Sequence, residues 1–197
     1  MPLGPGSRFI DDRDTTHWPE RGGEGRSARK IVPRRALADW DPAHRGHDAL
    51  ATILAQSETR AQDLVPIRHG RMAASPWTYF RGAAAVMAAD LASTPNTGIN
   101  VQLCGDAHVL NFGLWRTPER NLSFDLRDFD ETLPGPFEWD VKRLAASLVV
   151  LARDNGLSEA AARESVSSAY RGYAGKLREY ARCPRSTSGT TGSMSMT

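Results

Sequence analysis

The segment from Ile99 to Asp130 limits most what this chain can fold into. Ile99, Val101 and Leu103 alternate with polar residues, the period of a half-buried strand. The run passes without a linker into Cys104-Gly105-Asp106-Ala107-His108-Val109-Leu110-Asn111, where Gly105 supplies the backbone freedom for a sharp turn. Phe112 to Trp115 reads as another strand, Thr117 to Asn121 as a turn, and Leu122, Phe124 and Leu126 as a further alternating run. Two such strands around a short turn make a hairpin, and a hairpin brings its far end back to its start. Asp128, Phe129 and Asp130 are therefore expected beside the Gly105–Asn111 loop. A chain built this way needs an antiparallel element and is not a helical bundle.

Around the hairpin the apolar period is helical. Residues 46–62 place Leu50, Ile53, Leu54 and Ala61 on one face. Leu64 to Met72, with Pro66 and Gly70, reads as extended or turn. Ser75-Pro76 is a helix start, and Trp77, Phe80, Ala84, Met87 and Leu91 follow at helical spacing until Thr94–Gly98. Phe137, Val141, Leu144, Ala145, Leu148 and Ala152 form a second stripe that ends at Gly156. Ser158 caps a third, with Ala162, Val166, Ala169, Tyr173, Leu177 and Tyr180 facing inward. Residues 1–45 read as a flexible arm, basic between Arg21 and Arg35 and rich in Pro and Gly. Residues 183–197 read as a low-complexity tail, leaving one α+β domain over 46–182.

Composition narrows the class. A net charge of +2 gives no global field toward nucleic acid or membrane, so neither partner is expected. The arm lacks interleaved aromatics and reads as a solvated segment. Two cysteines, Cys104 and Cys183, are too few for a disulfide framework, which points to a reducing, cytoplasmic setting. The first residues lack the apolar core of a secretory signal, and no apolar run approaches the roughly 20 residues of a spanning helix.

The loop carries the chemistry. Asp106 precedes Asn111 by five residues, and Asp128 follows Asn111 by 17. A carboxylate that accepts the proton of an attacking hydroxyl, with an amide oxygen and a second carboxylate for Mg²⁺, is the equipment of phosphoryl transfer. On this reading Asp106 is the base, Asn111 and Asp128 are metal ligands, and Asp130 with Glu131 holds a second ion. Each residue also has a plainer role. Asp106 and Asn111 suit turns, His108 suits a satisfied structural histidine, and Asp140 suits the exposed first turn of a helix. Their combination in a strand–loop–hairpin–helix order favours the catalytic reading.

Gly105-Asp106-x-His108-x-x-Asn111 resembles the catalytic loop of aminoglycoside and choline phosphotransferases. Phe124 to Asp128 resembles their strand leading to the metal-binding Asp. In those enzymes a second Asp some dozen residues later braces the loop; here that is Asp140, in Trp139-Asp140-Val141-Lys142-Arg143-Leu144-Ala145. A denser match, over roughly residues 30–182, identifies the chain as a member of DUF2252, a family of uncharacterised bacterial proteins. Its motifs correspond to Val65–Gly82, Cys104–Gly113 and Arg127–Leu144, with Arg127 standing where the family usually has Asn.

The resemblance implies a partial protein-kinase-like fold, ATP and Mg²⁺, with His108 and Asp140 bracing the loop. It also suggests Arg68, Arg71 and Arg81, which flank the Ser75-Pro76 start, for phosphate or substrate; pairing with the acidic loop is the alternative. Family members are about twice as long, and the Gly-rich stretch and Lys strand of their nucleotide lobe have no counterpart here. The expectation is a truncated or frame-shifted member that keeps the catalytic-loop lobe and is inactive alone. Two other functions compete. One is a metal-dependent phosphoester hydrolase using Asp106, His108, Asp128 and Asp130, which His17, His44, His47 and His69 do not assist by spacing. The other is a non-catalytic remnant or binding module. The acceptor is not legible in the residues.

Overall fold

Side-chain caps and a glycine reversal set several of the element boundaries in the computed structural model, which describes residues 18–181. In chain order the helices are α1 (Trp18–Ile31), α2 (Ala49–Glu58), α3 (Val65–Met72), α4 (Pro76–Gly82), α5 (Ala84–Ala92), α6 (Glu138–Asp154) and α7 (Glu159–Tyr180). The strands are β1 (Asn100–Leu103), β2 (Phe112–Arg116), β3 (Leu122–Leu126) and β4 (Leu133–Pro136). The class is mixed α+β. No helix among the described residues is long and apolar enough to cross a membrane. The tail over 183–197 and the first residues of the arm lie outside the described residues.

Asp48 caps α2 through Leu50 N and Ala51 N, and Ser75 with Thr78 forms a reciprocal capping box on α4. Gly156, at φ +70°, closes α6: Leu157 N reaches Ala152 O and Gly156 N reaches Arg153 O, a Schellman reversal into Ser158, which caps α7. α6 and α7 consequently pack as an antiparallel pair.

Several elements depart from the sequence expectation. Leu64–Met72 is not extended; Val65–Met72 is a helix. Pro66 sits in its first turn, where a missing N–H costs nothing, and burial of Met72 offsets Gly70. Trp77 to Leu91 is not one helix but α4 and α5, broken at Ala83 (φ −112°, ψ 35°). The break has a tertiary cause: Arg143 donates to Phe80 O at 2.6 Å, which keeps only Ala83 N at 3.2 Å from the backbone, and Arg68 donates to Gly82 O at 2.8 Å. Trp18–Ile31, within the segment read as a flexible arm, is helical, with Ile31 at its end 82% exposed.

A segment near the arm's end is also pinned. Asp90 on α5 accepts Arg45 Nε at 2.7 Å, Arg45 Nη2 at 2.8 Å and His47 Nε2 at 2.8 Å. Burial opposes the charge of Asp90, but these bonds outweigh it and hold the carboxyl below the usual range.

The core is small. Ile53, Met72, Ala83 and Val86 cluster between α2, α3 and α5. Leu50 and Leu54, expected on the inner face of α2, are exposed; the helix instead buries Ile53, against Met72, Ala83 and Val86, and Ser57, beside His69 of α3, and Ala61 lies beyond the helix. On α7 the inner face holds from Ala162 to Ala169, while Tyr173, near Glu138 and Asp140 at the start of α6, and Leu177 and Tyr180 are exposed.

The β structure is two separate ribbons. β2 and β3 form the expected hairpin, Phe112 opposite Leu126 and Leu114 opposite Phe124. β1 pairs antiparallel with β4, Val101 opposite Gly135. Leu133-Pro134-Gly135-Pro136 carries two prolines and a glycine, residues that weaken a strand. It serves as a strand because both prolines lie in a two-stranded ribbon with a free edge, and because Leu103 needs the room at Gly135, where a Cβ would fall 2.7 Å from its Cδ1.

Candidate active site

The loop between β1 and β2 is held by one face of α6. Asp140, Arg143 and Ser147, at i, i+3 and i+7, each take a successive part of it. The Asp140 carboxylate accepts Cys104 N at 2.9 Å and Gly105 N at 3.3 Å. Arg143 donates through Nε to Asp106 Oδ1 at 2.8 Å, and its Nη2 lies 2.8 Å from the same oxygen. Ser147 Oγ accepts Val109 N at 3.0 Å and donates to Leu144 O. Residues 104–109 are thus bonded to the helix rather than to a neighbouring strand.

Arg143 is the centre of this arrangement. It is 2% exposed, and its guanidinium carbon lies 3.8 Å from the Phe80 ring centroid. Burial lowers its proton affinity and Asp106 opposes that; a guanidinium nonetheless stays charged in proteins. Charge, stacking and the fork of N–H groups all serve to fix the Asp106 carboxylate.

Inside the loop, Asp106 O accepts both His108 N at 2.8 Å and Asn111 Nδ2 at 2.7 Å. His108 is 3% exposed. Its Nε2 is 3.7 Å from Asp106 Oδ2, its ring meets Trp77 edge-on, and Nδ1 has no hydrogen-bond partner. Burial pushes its imidazole below the usual histidine range, against the pull of Asp106, while Arg143 and Arg81 push the same way as burial. Cys104, half-buried beside Asp140, has its thiol pushed up to about 12 by burial first and that carboxylate second, so it is not a nucleophile near neutral pH.

Gly105 is required twice over. Its φ is +90°, and a Cβ there would sit 2.2 Å from Glu131 O and 2.7 Å from Glu131 C. The Asp128–Thr132 turn therefore lies directly on the loop, and Thr132 Oγ1 fastens it to Leu103 O. Burial and the Asp106 charge push the Glu131 carboxyl above its usual range.

The hairpin returns as the strand period implies. Arg127 N donates to Asn111 O at 2.7 Å and Arg127 Nη2 to Leu110 O at 3.1 Å, so Asp128 follows immediately beside Asn111. Asp128 is exposed, with Oδ1 accepting Asp130 N at 3.2 Å; Asp130 is exposed too. No group of three or more His, Cys, Asp or Glu side chains gathers as a metal cage among the described residues. The donor set is nevertheless one Mg²⁺ accepts. Asn111 spends only its Nδ2, leaving Oδ1 free, and Asp128 retains a carboxylate oxygen. Two hard protein oxygens completed by phosphate and water is a usual Mg²⁺ environment.

The arginines separate. Arg68, half-buried on α3, is spent in part on Gly82 O and is close enough to Glu131 and Asp106 for their charges to oppose its desolvation. Arg81, exposed on α4, is felt at His108, while Arg71 is exposed. The Thr78 N–H at the start of α4 is already accepted by Ser75 Oγ. Sequence reading missed Arg143, Ser147 and also Glu138, whose buried carboxylate takes Thr97 N at 3.0 Å and Thr97 Oγ1. A signal existed: 140, 143 and 147 are polar positions along one arc of α6, beside its apolar stripe.

Residues 60–193 match the family model described as an uncharacterized protein conserved in bacteria, DUF2252. Neither a curated protein nor a solved structure matches the chain.

Proposed function

Because the chain belongs to the DUF2252 family, and the matched region contains the whole loop and the helix that holds it, we propose that it carries the catalytic loop of a kinase-like phosphotransferase using Mg²⁺ and ATP. The observation that supports this reading best is the juxtaposition of Asn111 and Asp128 through the Arg127 N–H to Asn111 O bond, next to a carboxylate oriented by Arg143. In the transfer, the acceptor oxygen bonds to the terminal phosphorus of ATP. The P–O bond to the ADP oxygen breaks with its electron pair, and the hydroxyl proton passes to Asp106. Arg143 occupies Oδ1 and leaves Oδ2 as the accepting atom. Asn111 Oδ1 and the free Asp128 oxygen would hold Mg²⁺, which when bound neutralises charge on the phosphates. His108, buried with its Nε2 3.7 Å from Asp106 Oδ2, stands beside the accepting oxygen.

The chain carries no Gly-rich phosphate loop and no Val-Ala-Ile-Lys-type strand, so the reading assigns it the loop half of the reaction and expects no turnover alone. Calorimetry tests it: Mg·ATP is titrated into this chain and into a longer family member, each with and without the Asp128→Ala substitution or its match. Mg²⁺-dependent binding in the longer protein, lost on substitution, supports the proposal. Absence of binding in both would end it. Nucleotide-independent phosphoester hydrolysis stimulated by Mn²⁺ or Zn²⁺ would replace it with the hydrolase reading.

A further inference from the structure

Beneath the loop lies a cavity of about 100 Å³ that no element of the transfer chemistry fills. Ala84, Ala88, Leu91, Leu103, Leu133 and Trp139 wall it with carbon. It meets the loop at Gly105, one residue from Asp106, and its polar edge is Arg143 and Glu131. Trp139 adds a second observation: its indole Nε1 is buried and has no hydrogen-bond partner.

We propose that this cavity is the acceptor subsite, and that it takes a small alcohol with an aliphatic body of about four carbons, the hydroxyl lying at the Arg143–Glu131 edge. The inference rests on the phosphotransferase reading and supplies its missing substrate class. Size decides the class. An apolar cavity of roughly 150 Å³ holds a benzene ring; this smaller one, open to solvent along Glu131 and the exposed Leu133, suits a branched four-carbon chain. Wall chemistry decides it again, because a polyol buried among alanine and leucine side chains would leave its hydroxyls unpaired. The edge has what a single hydroxyl needs. The Glu131 carboxyl accepts a hydrogen bond, and the Arg143 guanidinium, already fixed on Asp106, orients the oxygen within reach of the loop.

The test uses the whole chain and 2-methylpropan-1-ol as probe, with glycerol as a polar control of similar size. Binding is read by ligand-observed saturation transfer and by movement of the Trp139 indole N–H resonance, identified with Trp139→Phe. The alcohol is expected to saturate the wild type in the millimolar range, and glycerol is not. Ala88→Leu fills the cavity and should weaken the alcohol at least about tenfold, with the Tm compared to verify folding. Leu133→Ala, at a side chain 62% exposed and so safe for folding, should shift preference toward 3-methylbutan-1-ol. Equal binding in wild type and Ala88→Leu, unchanged preference in Leu133→Ala, no binding, or equal binding of glycerol each overturns the proposal. Nucleotide binding is read separately in the longer family member, so absence of Mg·ATP binding there with alcohol binding intact here removes the phosphotransferase reading and leaves the cavity's ligand class standing.

Discussion

Arg143→Met is the perturbation that bears most directly on how the loop is held. The substitution keeps the aliphatic stem and removes a guanidinium that is 2% exposed and bonded to Asp106 Oδ1 and Phe80 O. Removing one partner of a buried ion pair costs about 3–5 kcal/mol, because the other charge is stranded. The Asp106 side chain keeps 17% exposure, so water reaches it and the cost falls at the lower end, about 3 kcal/mol. In a chain of this size that corresponds to a Tm decrease of roughly 6–12 °C. The decisive assay is a double-mutant cycle in urea with Asp106→Asn. If the guanidinium chiefly serves the carboxylate, the double variant is about 2 kcal/mol more stable than the sum of the single effects implies. Effects that add to within about 0.5 kcal/mol would refute the pairing as the reason for burying Arg143.

Gly105→Ala combines a φ of +90° with a 2.2 Å approach to Glu131 O, so it is expected to cost more than about 2 kcal/mol and to loosen the loop, read by thermal denaturation and by amide exchange at Cys104–His108. His108 has its folded-state affinity for protons lowered by burial, so the unfolded chain binds more protons once the pH drops below about 6.5. Stability should therefore fall on acidification from neutral pH, and His108→Gln should flatten that slope in a Tm-versus-pH series. Cys104, with its thiol at about 12, should resist iodoacetamide at pH 8.5 in the folded protein and react readily in urea, followed by peptide-resolved mass spectrometry; rapid labelling of the native chain would contradict its burial. Asp90→Ala should release the Arg45 and His47 contacts at a cost of about 1–3 kcal/mol and speed proteolysis between residues 39 and 48.

What was legible in the sequence was local. Alternation at Leu122, Phe124 and Leu126 gave the hairpin strand and with it the place of Asp128. Ser75-Pro76, Gly156 and Ser158 marked helix ends whose hydrogen bonds close within a few residues. The Asp140 motif pointed to the loop that its carboxylate in fact holds through Cys104 N and Gly105 N.

Tertiary structure decided the rest, because it depends on groups far apart in the chain. Whether Val65–Met72 coils was settled by burial of Met72, and the interruption at Ala83 by the demands of Arg143 and Arg68 on two carbonyls. Leu133–Pro136 became a strand only because β1 lay beside it. The loop itself adopts its form through bonds spanning 36, 37 and 38 residues to Asp140, Arg143 and Ser147. Periodicity encodes which face of a helix is apolar, but not which backbone will arrive at the polar positions along its edge. The candidate base could be read from its motif; the arginine that orients it became visible only when α6 packed against the loop.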